Sequence, residues 1–206
     1  MSVIALVGNK GGAGKTTLSI NLAVALAEQA DTVLMDADPQ GSSMQWKVIG
    51  DSQLPVVVAE GTLNEAIATM ARQHQHVVVD CPPSVQASQT HEALQACDVA
   101  LIPVQPSPVD LWATVHIEQA IQQARMVNPQ LAAWLIINQL EPRTMLSRLV
   151  REAVAEIDIP VAETPIRRRA IYRSSVLEGK SIYDMGRRGS DAATELNQLI
   201  QEVLPS

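Results

Sequence analysis

The 206-residue sequence predicts an α/β fold in which a parallel sheet is covered by helices on both faces. Three observations predict it. Short runs rich in Val, Ile and Leu alternate with segments of helical period, the pattern of strand–helix–strand crossovers. Aromatic residues are scarce, with no Phe, two Tyr and three Trp. A core built from Ala, Val, Leu and Ile suits strands buried on both faces. Finally, a glycine-rich loop and several acids stand where the apolar runs stop, at the carboxyl ends of strands where such sheets bind ligands.

Taken in order, Val3–Val7 reads as a buried strand, followed by the loop Gly8–Thr17 and a helix across Leu18–Ala27. Thr32–Met35 is a second strand and runs into Asp36-Ala-Asp38-Pro-Gln40. Val56–Ala59 is a short strand and Leu63–Arg72 a helix. Val77–Val79 is a strand that ends in Asp80-Cys-Pro-Pro83. Val99–Val104 is another, with a helix expected from Val109 to Met126. Leu131–Ile137 is strand-like and ends in Asn138. Helices are expected from Met145 to Ile157 and from Asp191 to Val203, the latter with Leu196, Leu199, Ile200 and Val203 on one face. With no internal repeat or linker, residues 1–206 are expected to form a single domain.

Composition narrows the class. Hydrophobic content of 47% with 18% charged residues suits a folded globular chain, not a disordered one. Cys81 and Cys97 fit no metal-ligand spacing, and the first apolar run follows no basic leader and ends at Val7. A cytoplasmic location is expected. The net charge of −7 does not advertise nucleic-acid binding, yet Arg143 to Arg188 holds ten Lys/Arg against six Asp/Glu. Such asymmetry allows a local basic patch.

The glycine loop carries the chemistry. Backbone N–H groups of Gly11, Gly12, Ala13, Gly14, Lys15 and Thr16 can curl around phosphate oxygens, with the dipole of the following helix behind them. The pattern Gly-x-x-x-x-Gly-Lys-Ser/Thr is not strictly met, because its first position is Asn9. Lys15 is expected on the outer phosphates of ATP and the Thr16 hydroxyl on Mg²⁺. Asp80 and Asp36, at neighbouring strand ends, are expected to hold the Mg²⁺ shell through water. Asp38 is placed to orient or deprotonate an attacking water. Together these features indicate a P-loop NTPase.

Lys10 is a second lysine inside the loop. Lys10-Gly-Gly-Ala-Gly-Lys-Thr-Thr17 resembles the deviant Walker A loop of the ParA/MinD ATPases. Asp36–Gln40 is similar to their second acidic motif and Val77–Pro83 to their Walker B segment. Pro106–Asp110, Asn138 and Glu163–Ile182 extend the match over nearly the whole chain. One position departs, with Gly8 and not Asn two residues before Lys10. The resemblance is nearest to short ParA-type proteins, both plasmid-partition and carboxysome-positioning (McdA-like) members. It implies weak ATP hydrolysis, an ATP-sandwich homodimer in which Lys10 reaches the partner's phosphates, Asp38 needed for hydrolysis, and Thr17 in the nucleotide site. It also implies that Asn138, Thr164 and Pro165 lie at the adenine.

Such a switch acts on a surface and a cargo. The last helix lacks Lys and Arg and carries Glu195 and Glu202, which speaks against a basic membrane-binding helix. Non-specific double-stranded DNA, hence nucleoid association in the ATP state, is the expected surface. Candidate contacts are Arg148, Arg151, Arg167, Arg168, Arg169, Arg173, Lys180, Arg187 and Arg188. An adaptor that stimulates hydrolysis is expected, while the cargo, a plasmid or chromosome or a protein body, stays open. Other enzyme classes on this fold are metal-delivery or reductase-like ATPases, which need a paired cysteine site, and biosynthetic ligases or kinases.

Overall fold

A computed structural model of the chain describes residues 1–106, 108–141 and 157–204, apart from the side chains of 108–114. Its centre is a seven-stranded sheet in which every pairing is parallel. The strands are β1 (Ser2–Leu6), β2 (Thr32–Asp36), β3 (Val56–Val58), β4 (His76–Asp80), β5 (Val99–Val104), β6 (Ala132–Leu140) and β7 (Ile166–Arg167). They lie in the order β3-β2-β4-β1-β5-β6-β7. The chain leaves β1 toward β2 and later places β5 on the opposite side of β1. This reversal opens a crevice at the carboxyl end of β1, where ligands bind in such sheets.

The side chains of β1 alternate between the two faces. Val3, Ala5 and Val7 join Val33, Met35, Val77, Val79 and Ile102 in one cluster. Ile4 and Leu6 join Leu34, Val78, Leu101 and Ile136 in the other. Helices α3 (Leu63–Ala71), α4 (Ser88–Ala96) and α5 (Pro108–Arg125) accompany the first face. Helices α1 (Lys15–Ala27), α2 (Ser42–Ile49), α6 (Ala170–Leu177) and α7 (Ser190–Val203) cover the second, with a 3₁₀ turn over Tyr183–Arg188. Leu196, Leu199 and Val203 of α7 are buried on Leu6, Leu18, Leu101 and Ile136. Its apolar face is thus core, worth about 1.5–3 kcal/mol per buried side chain.

Several elements differ from the sequence expectation. Helix α1 begins at Lys15, three residues before the expected Leu18, because Gly14 (φ 94°) turns the loop directly into it. The last helix begins at Ser190, one residue early. Helices α2, α4 and α6 were not expected. Their polar composition breaks the apolar period, and α2 buries only Ser43 and Trp46. The expected helix from Met145 falls almost wholly outside the described residues, as do Arg148 and Arg151.

Helix α2 is held at both ends. Its C-terminal Gly50 packs backbone to backbone on Gly179 (φ 65°), and a Cβ on either residue would collide with the other. The buried Trp46 indole N–H donates to the Lys180 carbonyl at 3.0 Å. At the N-terminal end, Ser43 and Met44 reach the acids of β4 and β2.

Candidate functional site

The carboxyl ends of β1, β2, β4 and β6 converge on a cavity of about 1070 Å³. Gly11, Gly12, Gly14, Lys15, Thr16 and Thr17 line it from one side, Asp38 and Gln40 from a second, and Asn138 and Gln139 from a third. Gly12 (φ 81°) and Gly14 (φ 94°) adopt backbone angles that side chains disfavour. A Cβ on Gly14 would also run into the Asn138 amide.

Lys15 is nearly buried, and its Nζ donates to the Lys10 carbonyl at 3.2 Å, so the loop folds around its own lysine. Burial pulls Lys15 below the ordinary lysine value, against the attraction of Asp80 and Asp38. A group with that tendency favours an anion beside it, as a triphosphate supplies. Lys10 differs: its residue is exposed and does not line the cavity.

Asp80 is fully buried and receives two hydroxyls. Ser19 Oγ donates to Oδ1 at 3.1 Å and Ser43 Oγ to Oδ2 at 2.9 Å, and the Thr16 side chain is near enough to favour the charged carboxylate. A Thr16 hydroxyl that turns its proton toward Asp80 keeps its oxygen lone pairs for a cation. This donor set fits Mg²⁺, a hard ion bound through hydroxyl, phosphate and water oxygens with carboxylates behind them. Asp36 accepts from Met44 N at 2.9 Å and Asp38 N at 3.2 Å. Asp38 lines the cavity, accepts one bond from Gln40 N at 3.0 Å, and is only partly buried.

Burial raises the Asp80 carboxyl to about 6, opposed by its hydroxyl donors, and raises Asp36 too. The proton is therefore held more tightly by the fold than by the unfolded chain. Stability from this group is complete below about pH 4 and is lost as pH rises through about 6. The loss at neutral pH is about 3 kcal/mol, roughly two units at 1.36 kcal/mol each. Asp80→Asn should therefore melt higher than the wild type at pH 7.5 without nucleotide or Mg²⁺, and the gap should close toward pH 4.5. Melting curves that run parallel over that range would refute this account.

Asn138 and Gln139 show how β6 completes the loop's support. Asn138 Nδ2 donates to Ala13 O at 2.6 Å and Gln139 Nε2 to Gly12 O at 3.1 Å. Neighbouring strand residues normally point to opposite faces. Here the pairing with β7 is irregular between Asn138 and Leu140, and Gln139 has φ 58°. This bulge turns both side chains to one target. Gln105 Nε2 also binds Gly12 O at 2.6 Å. Gln105, Gln139, Ser19 and Ser43 were missed in the sequence because each acts through a partner distant in the chain.

Thr164 and Pro165 are not among the residues that line the cavity, and the Thr164 N–H donates to Glu202 Oε2 at 3.0 Å. The lining there comes from Arg167–Ala170, Tyr172 and Arg173. Of the seven cations of the basic stretch among the described residues, four are paired with carboxylates. Arg167 pairs with Glu195 (3.4 Å), Arg168 with Glu141 (2.5 Å), Arg169 with Glu195 (2.6 Å) and Asp191 (3.4 Å), and Lys180 with Glu178 (2.9 Å). The acids of α7 thus hold residues 164–169 in place. Arg173, Arg187 and Arg188 form no ion pair among the described residues.

A glycine loop, a buried acid held by two serine hydroxyls and a second acid pair meet at one crevice, an arrangement suited to nucleotide phosphates. The sequence profile described as "CobQ/CobB/MinD/ParA nucleotide binding domain" matches residues 4–182. The chain belongs to this family. Within the CobQ/CobB/MinD/ParA family it is 42% identical over 208 residues to the maintenance of carboxysome distribution protein A of Halothiobacillus neapolitanus, covering 98% of this chain and 96% of that one. Its fold matches apo McdA of Cyanothece with a TM-score of 0.82 at 14% identity, covering 99% and 100% of the two chains. It also matches cobyrinic acid a,c-diamide synthase of Mycobacterium smegmatis bound to ADP and magnesium, with a TM-score of 0.69, 25% identity and 85% and 92% coverage. The seven-stranded sheet with helices on both faces is the P-loop NTPase fold expected from the sequence. The expected cofactors, ATP and Mg²⁺, agree with the ADP and magnesium in that structure and with the ATP analogue and magnesium bound to the same synthase in another.

Proposed function

We propose that the chain acts as one domain, an ATP-driven positioning switch that hydrolyses ATP slowly, pairs face to face with a second copy when ATP is bound, and then holds non-specific DNA. The observation that carries this reading is the division between two lysines of one loop. Lys15 is nearly buried and lines the cavity, whereas Lys10 is exposed and does not line it. A cation on the rim is suited to a second copy's phosphates, and charge supplied across an interface ties hydrolysis to association.

Within one site, the loop N–H groups and Lys15 would bind the phosphates, and Thr16 would take Mg²⁺ directly, with Asp80 and Asp36 behind it. Mg²⁺, when bound, neutralises charge developing on the phosphate oxygens. Asp38 would orient the attacking water. Most of the rate effect comes from this positioning and charge placement.

The relative at 42% identity is named for carboxysome distribution, which favours a protein body as cargo, delivered through an adaptor that stimulates hydrolysis. Biosynthetic chemistry is less supported, because the likeness to the diamide synthase is lower in identity and coverage. A cysteine-based metal role is disfavoured, since Cys81 and Cys97 are both buried in the core and burial raises their thiols, Cys97 to about 12. Among the described residues no helix is long and apolar enough to cross a membrane. For DNA, Arg173, Arg187 and Arg188 are the strongest candidates, because among the described residues no ion pair holds them, although Glu178 lies close enough to feel the charge of Arg188.

The test is retention on random-sequence duplex DNA, with protein mass measured in parallel. With ATP the chain should run as a dimer and bind, with affinity falling steeply as salt rises; with ADP it should be a weakly bound monomer. Equal DNA affinity in the two nucleotides would sink the switch.

A further inference from the structure

Helix α2 touches both acids of the phosphate site through two consecutive residues. Ser43 Oγ donates to Asp80 Oδ2 at 2.9 Å, and Met44 N donates to Asp36 Oδ2 at 2.9 Å. The same helix begins three residues after Asp38-Pro39, so the loop that carries Asp38 is tied at its far end to Asp80. Ser43 has no accessible surface, and its neighbour Ser42 is only partly buried.

A carboxylate behind a metal's waters must present a fixed edge. Ser19, on the same helix as Thr16, divides its one hydroxyl proton between Lys15 O at 2.9 Å and Asp80 Oδ1 at 3.1 Å. Among the described residues Ser43 holds Oδ2, and it does so from a different element. Without it, the carboxylate can rotate about its remaining bonds, and the edge it turns to the metal's waters is no longer fixed. Partners of this kind, one step removed from the ion, commonly set metal affinity by about 10–100-fold.

We infer that Ser43 is a positioning residue that sets the affinity of this site for Mg²⁺, and that it joins the Asp38 loop to the metal through Asp80. The inference rests on the Mg²⁺–nucleotide reading above. Its core is one buried hydroxyl delivered by a helix whose other end is clamped, at Gly50 on Gly179 and at Trp46 on Lys180.

Equilibrium binding of a fluorescent ATP analogue, titrated with Mg²⁺ and repeated in EDTA, tests it. In Ser43→Ala, half-saturation by Mg²⁺ should move up about 10-fold, while affinity in EDTA stays at the wild-type value. Ser43→Cys, nearly the same size but a weak donor, should follow alanine, and Val48→Ala, an exposed change on the same helix away from the cavity, should match the wild type. A merely structural role would lower affinity equally with and without Mg²⁺, and that result would overturn the inference. So would an unchanged Mg²⁺ titration in Ser43→Cys, the variant that leaves least empty space should Ser43→Ala fold poorly. If the wild type itself shows no gain with Mg²⁺, the metal reading of the whole site fails first, which separates the two outcomes.

Discussion

Asp38→Ala should bind ATP, dimerise and stay on DNA, with turnover lowered about 10²–10⁴-fold, the usual worth of a group that handles the proton or orients the nucleophile. Among the described residues Asp38 makes no hydrogen bond to the glycine loop, although its charge attracts Lys15. Its carboxylate accepts one hydrogen bond, from Gln40 N at 3.0 Å. Its own N–H bond to Asp36 is backbone and survives the change. Losing the Gln40 bond costs roughly 0.5–1.5 kcal/mol, far from enough to unfold the chain. Removing a carboxylate beside a triphosphate should, if anything, favour ATP. Single-turnover phosphate release and dissociation from DNA after ATP removal would measure this. Wild-type turnover, or a variant that cannot dimerise, would remove Asp38 from the role.

Lys10→Ala should have the opposite signature: ATP bound nearly as well as in the wild type, no dimer, no DNA retention, and turnover lowered on the order of 10³-fold, as when a cation supplied across an interface is lost. Lys15 Nζ keeps its partner in this variant, because it donates to the Lys10 carbonyl, which alanine retains. A mixture of Lys10→Ala and Asp38→Ala chains discriminates further. If Lys10 acts across the interface, a mixed dimer has one complete site: the Asp38 of one chain with the Lys10 of the other. Activity should then return in the mixture, although each variant alone is inactive. A mixture no more active than its parts would place Lys10 in its own chain's site and defeat the dimer reading.

How much of this was legible in advance depended on whether a feature is local. Strand periodicity showed β1, β2, β4 and β5 because each buries both faces in an apolar run. Helices α2, α4 and α6 were hidden because their stability comes from what they touch. Trp46 on Lys180 and Gly50 on Gly179 lie far apart in sequence, and no window around residue 46 contains their partners. The arginines show the same limit. A count between Arg143 and Arg188 reads as a basic patch, whereas in space α7 lays Glu195 and Asp191 against Arg167 and Arg169 and offsets those two charges.

By itself, the sequence determined the parallel sheet, the glycine loop with two lysines, and the acids at the strand ends. Each follows from residue type and spacing along one short stretch: glycine for positive φ, lysine for phosphate, aspartate where a buried strand meets the crevice. Only the tertiary structure decided what those groups rest on. It placed Ser19 and Ser43 on Asp80, and turned Asn138 and Gln139 together through a bulge onto Ala13 and Gly12. It also left Lys10 exposed while burying Lys15. Those are contacts between segments that meet only when the sheet forms, since a buried polar group takes its partner from whatever the fold brings within about 3 Å.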